Sequence, residues 1–166
     1  PILILWWPIS RNNELKPLEK EGNFTIYEAG ADFGSNFIVF NQNRGINPKT
    51  KNPYVEPKKL SWFTNLKFRQ AVAHSIDKKR IIDILMNGLG FEQDSSMSPS
   101  SGFFYNPNVI KYEYNLEKAK KALEEGGFRY GDGDGTIADS SGNKVEFNLI
   151  TNSGDATRLQ IAAIIR

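Results

Sequence analysis

The chain has no cysteine, one histidine and two methionines among its 166 residues. Without cysteine there is no disulfide, no thiolate nucleophile and no Cys-based zinc site. A single histidine is a poor ligand set for nickel or zinc. It also has no nucleophile elbow of the G-x-S-x-G kind beside it, so a Ser-His hydrolase lacks its parts. Charge of one sign is not in excess: the net charge is +2. That balance leaves no electrostatic footprint for nucleic acid or an anionic membrane surface. No apolar run reaches the ~18 residues that span a bilayer. The opening PILILWWPIS is apolar, yet it has no Lys/Arg-rich leader and is short for a signal peptide core. The first residue is not Met and the last lie inside RLQIAAIIR, an uncapped helical pattern. The expectation is a piece of a longer chain, which leaves room upstream for a signal peptide or a lipid-anchored Cys.

Neither a phosphate-cradling P-loop nor a G-x-G-x-x-G turn occurs. Glu124 and Glu125 are neighbours on a helix and point to different faces, which rules out a glycosidase pair. Asp132-Gly-Asp134-Gly-Thr136 opens like a calcium loop, but Ile137 and Asn143 stand where Gly and a bidentate Glu belong. A structural turn is preferred there, with Asp132, Asp134 and Asp139 at most a weak cation trap. No catalytic residue, metal or cofactor is expected.

The apolar pattern predicts strands at 2–7, 24–27, 36–41 and 144–151, by alternation or by apolar runs bounded by turn residues. It predicts a short helix over 12–20, weakened by Pro17. Asn65 is read as the N-cap of a main helix that buries Phe68, Ala71, Val72 and Ile76. Asp77 starts a second helix with Ile81, Ile82 and Leu85 inward, and Gly88 supplies its left-handed exit. Asn115 caps a third helix, which buries Leu116, Ala119, Ala122 and Leu123. Asp155 starts the last, with Leu159, Ala162 and Ala163 inward. Residues 43–60 and 132–142 read as polar excursions. Interleaved strands and helices make the class α/β.

These pieces also stand in a recognisable order. Phe40-Asn41 ends a strand. A helix then reads Phe68-Arg69-Gln70-Ala71-Val72-Ala73-His74-Ser75-Ile76-Asp77, continuing Lys78-Lys79-Arg80-Ile81. Gly88 and Met97-Ser98-Pro99 follow. Next comes Tyr114-Asn115-Leu116-Glu117-Lys118-Ala119-Lys120-Lys121-Ala122-Leu123-Glu124-Glu125-Gly126-Gly127-Phe128, and later Arg158 to Ile164. From about Gly22 onward this resembles the extracytoplasmic solute-binding proteins of the peptide/nickel type, family 5, that feed ABC importers. The departures are Asn115 where Asp is commoner, Gly126-Gly127 for Ala-Gly, and a long loop at 43–60. Asn and Gly keep the physical roles of cap and exit.

The resemblance implies a partial α/β fold of the type II periplasmic-binding-protein kind. Residues 1–36 would end one lobe, 37–43 would be a hinge-crossing strand, and 44–166 would form part of the C-terminal lobe. It implies a non-catalytic receptor, monomeric, periplasmic or extracellular. The receptor would hold an oligopeptide, with an oligosaccharide as the alternative ligand, and dock on ABC permease subunits. Hinge closure would be driven by the ligand's extra contacts in the closed form.

The residues that identify the family are scaffold; ligand contacts belong to less regular parts. Asn41 and Asn43 leave a buried strand, and their amides suit a peptide backbone or a sugar hydroxyl, or simply form turns. Ser96, Ser98, Phe104 and Tyr105 line the loop between the second and third helices, as pocket groups or ordinary surface. Trp62 precedes the main helix and is placed either to stack on a ligand or to pack at the helix start.

Overall fold

The structure, a computed structural model, describes residues 12–27, 30–131 and 135–166, with the side chain of Asn12 aside. The expected strand at 2–7, and Asp132 and Asp134, lie outside the described residues. Among the described residues six helices are formed. They are α1 (Asn12–Leu15, continued by a 3-10 turn at Lys16–Leu18), α2 (Pro57–Thr64), α3 (Leu66–Ser75), α4 (Lys78–Leu85), α5 (Leu116–Glu125) and α6 (Ala156–Ile165). A 3-10 segment spans Pro99–Phe104, and two short strands, β1 (Arg129–Tyr130) and β2 (Ile137–Ala138), pair antiparallel.

The described chain divides into two compact units. One holds the residues up to Asn36 with Lys78–Lys111 and Thr151–Arg166; the other holds Phe37–Asp77 and Tyr112–Ile150.

The second unit is built around α3 and α5. Pro57 fits the first turn of α2, where its missing N–H is no loss. At Asn65 the backbone turns extended (ψ 116°), so α2 stops and α3 starts on the same residue. The Asn65 side chain accepts from the N–H groups of Lys67 and Phe68, as the sequence predicts. Its amide nitrogen donates to the Gly126 carbonyl at 2.9 Å, tying the start of α3 to the end of α5. At the other end the Asn115 N–H donates to the His74 carbonyl at 2.8 Å, so the two helices run antiparallel. A Cβ on Gly126 would lie 3.1 Å from the Lys67 Cβ, which is why the ends approach so closely. Gly127 (φ 83°) then takes the left-handed exit.

Between the helices lies a core of Val55, Trp62, Phe63, Phe68, Ala71, Ala122, Leu123 and Phe128. Phe68 is 2% exposed, and its ring lies within 5.2–6.5 Å (centroids) of Phe40, Phe63, Phe128 and Phe147. Burying such a ring contributes about 1.5–3 kcal/mol. Leu116 departs from expectation at 50% exposed, since it sits on the first turn of α5.

The expected strands at 24–27, 36–41 and 144–151 do not form; only an isolated bridge, Ala138 to Lys144, touches the last of them. Phe40 and Phe147 nonetheless pack on the core. Alternation specifies which side of an extended chain is inward, whereas a ladder also needs a partner at the right distance. Phe37 and Val39, expected to be buried, are exposed. The sheet instead lies in the 129–145 region, read from sequence as mostly loop, where Arg129 pairs with Ala138 and Tyr130 with Ile137.

In the first unit α4 buries Ile81 and packs against α6. Asn87 (φ 51°) and Gly88 (φ 74°) end α4 left-handed, with the Gly88 N–H on the Ile82 carbonyl. Asp155 caps α6 through the Arg158 N–H at 3.0 Å. Leu159 and Ala163, expected inward, are exposed.

Candidate ligand-contact segments

Asn41 and Asn43 lie in the second unit, on an exposed turn. The Asn43 N–H donates to Asn41 Oδ1 at 3.1 Å, and the Gly45 N–H to Asn43 Oδ1 at 2.8 Å. Two successive Asx turns therefore use the side-chain oxygens, on residues that are themselves exposed. Trp62, in the same unit, is 2% exposed. Its ring is part of the core and its indole N–H donates to Asp139 Oδ2 at 2.9 Å.

Asp139 is a hub that the sequence did not single out in this role. Its Oδ1 accepts from the N–H groups of Ser141 and Asn143, and both its oxygens accept from Asn143 Nδ2. Hydrogen bonds to the ionised form, the Trp62 indole first, hold its carboxyl at about 2. The readable signal is Asp139-Ser-Ser-Gly-Asn143, an acceptor followed by a turn with Gly142 at φ 81°. The indole partner, 77 positions away, has no local signal.

A groove of about 190 Å3 follows the α3–α5 seam, lined by Lys67, Gln70, His74, Tyr112, Lys118 and Lys121 among others. Its cations have nearby carboxylates. Lys67 pairs with Glu125 and Lys118 with Glu113, and those hydrogen bonds pull both carboxyls below their usual range. His74 Nδ1 lies 2.7 Å from the Glu113 carbonyl, a pure acceptor, so Nδ1 carries the proton. The ring stands edge-on to Tyr112.

The remaining residues share the loop at 96–105 in the first unit. Ser96 is exposed, Tyr105 half-buried and Phe104 72% exposed. Ser98 is buried at 2%, with its hydroxyl donating to the Asp32 carbonyl at 2.6 Å. Phe103, absent from the sequence-based set, is 96% exposed and edge-on to Phe104. Its signal was the Gly102-Phe103-Phe104 run, where a flexible residue precedes two rings.

Over residues 5–166 the chain matches the family described as bacterial extracellular solute-binding proteins, family 5, middle. It is similar to a probable ABC transporter-binding protein of Deinococcus radiodurans, 34% identical over 141 residues, covering 85% of this chain and 22% of that protein. It is similar to the solved oligopeptide-binding protein AppA of Bacillus subtilis, in complex with a nonapeptide. That likeness has 35% identity and TM-score 0.54, and covers 60% of this chain and 20% of that one. An oligopeptide-binding protein of Thermus thermophilus, complexed with a pentapeptide, is also similar, at 27% identity and TM-score 0.54, covering 65% and 19%. The chain thus spans about a fifth of the length of the relatives it matches.

Proposed function

This chain belongs to the bacterial extracellular solute-binding proteins of family 5, and from that premise we propose that its protein captures oligopeptides outside the cytoplasmic membrane and delivers them to an ABC permease. The observation that carries the reading is the likeness to two oligopeptide-binding proteins solved with peptides bound, at 35% and 27% identity. The family is one of binding proteins, and the proposed protein accordingly does no chemistry on its ligand. Among the described residues no helix is long and apolar enough to cross a membrane. An anchoring lipid upstream and a monomeric state complete the proposal.

The lobe division at 36 and 43 is part of the same reading. A change of unit falls between Asn36 and Phe37, in line with its first boundary; none falls at 43, and Lys78–Lys111 and Thr151–Arg166 group with the residues up to Asn36. Within the second unit Asn41 and Asn43, both exposed, are proposed to face ligand; within the first, taken by itself, Ser96, Phe104 and Tyr105 are proposed to do so.

The test is a thermal-shift panel of peptides and oligosaccharides against the full-length protein. A ligand at a hundred times its Kd adds about 2.7 kcal/mol of stability, well above detection. Stabilisation by peptides is expected. Stabilisation by oligosaccharides alone refutes the peptide assignment.

A further inference from the structure

Ser98 is the only buried polar residue among the described residues. A buried hydroxyl is costly unless hydrogen-bonded, and its partner here is distant in sequence. Its Oγ donates to the Asp32 carbonyl, 66 positions away, and accepts from the Ser100 N–H at 3.4 Å. The Ser100 hydroxyl donates in turn to the Ala31 carbonyl. Two consecutive carbonyls thus each receive a hydroxyl from the same short loop, all within one unit.

Beyond this anchor the 3-10 segment Pro99–Phe104 is broken at Gly102, with φ 55° and ψ −113°. That combination is closed to residues with a Cβ. The Tyr105 N–H returns to the Gly102 carbonyl at 3.0 Å and closes the turn. Phe103 and Phe104 are left outward, ring centroids 5.5 Å apart and planes at 82°. A slack loop with two such rings would fold them onto apolar surface. This one is fixed at its base by two hydroxyls and at its tip by a glycine.

We propose that Ser98 is a positioning residue for ligand capture: it latches the loop to the Asp32 carbonyl, so that Phe103 and Phe104 are held ready for an apolar or aromatic side chain of the bound peptide. The inference rests on the peptide reading above and deepens it. Ser98 acts through the rings and touches no ligand, because its own side chain is buried. A preset loop forfeits little order on binding, which favours affinity.

The experiment uses the full-length protein and alanine pentapeptides carrying one Phe or one Asp at each position in turn. Kd is measured by calorimetry, and hydrogen exchange is followed at 31–33 and 99–105. Wild type is expected to favour a Phe-containing peptide over all-alanine. The Phe103→Ala/Phe104→Ala variant is expected to lose roughly tenfold for that peptide while all-alanine affinity holds. Ser98→Ala is expected to speed exchange in both segments and to shrink the same Phe-to-alanine ratio, which general destabilisation would leave unchanged. If Ser98→Ala does not fold, Ser98→Cys, close in size but with only a weak donor, takes its place and is expected to shrink the same ratio; a ratio unchanged in Ser98→Cys overturns the latch. Peptides binding with an unaltered ratio in every folded variant would overturn the latch and leave the peptide reading standing. Binding of none of these peptides by wild type would overturn both.

Discussion

Replacing Asn65 separates two contributions that one side chain makes. Its oxygen caps α3, and its nitrogen ties α3 to the Gly126 carbonyl at the end of α5. Asn65→Ala removes both. Losing an N-cap costs about 1 kcal/mol, and losing the part-buried bond to the Gly126 carbonyl costs about another 1 kcal/mol. The sum, about 2 kcal/mol, lowers Tm by about 4–8 °C for a chain of this size. Asn65→Ser keeps the cap and loses only the tie, for about 1 kcal/mol. Asn65→Asp caps α3 at least as well, but sets a carboxylate against a carbonyl at the negative end of α5. At neutral pH it therefore falls below Ser. Thermal and urea unfolding followed by far-UV circular dichroism give the order. Hydrogen exchange at the Lys67 and Phe68 amides shows whether the cap survives in each variant. The reasoning fails if Ser is as destabilising as Ala, or if Asp equals Asn.

Two further outcomes follow from the same core and turn. Phe68→Ala is expected to cost about 3–5 kcal/mol, because four neighbouring rings have little room to collapse into the cavity; urea midpoints check it, and a loss under about 1 kcal/mol refutes it. Asp139 titrates lower in the folded chain (about 2) than an ordinary aspartate at 3.8. The group therefore stabilises fully above the ordinary value and loses its contribution as pH falls from 3.8 towards 2. Asp139→Asn is expected to flatten that part of the acid-unfolding profile, while Glu19, Glu56, Glu113 and Glu125, all lowered, keep their share. An unchanged profile would show that Trp62 and the turn do not depend on the charge.

What the sequence made legible was local. Asn65, Asn115 and Asp155 cap their helices because a short acceptor reaches an N–H two or three residues on, and that reach is written in the spacing. The exits at Gly88 and Gly127 follow the same logic. Order of elements carried the family. The strands failed for the opposite reason: residues 36–41 and 144–151 have the side-chain pattern, but pairing is a property of two segments. At the candidate site, Ser98 looked like a ligand hydroxyl because its acceptor, the Asp32 carbonyl, lies far back along the chain. Trp62 is a similar case, since an indole before a helix looks the same whether it faces solvent or donates to Asp139.

The lone imidazole sits where α3 ends and α5 is about to begin, with its Nδ1 proton committed to the Glu113 carbonyl. A protein segment with one histidine gives one pair of ring nitrogen resonances, free of overlap from any other in this chain. Slippage of the two helices past each other would break that bond and redistribute the proton between the nitrogens. A single isotopic label at position 74 thus makes a strain gauge for the antiparallel pair, readable while solute is added.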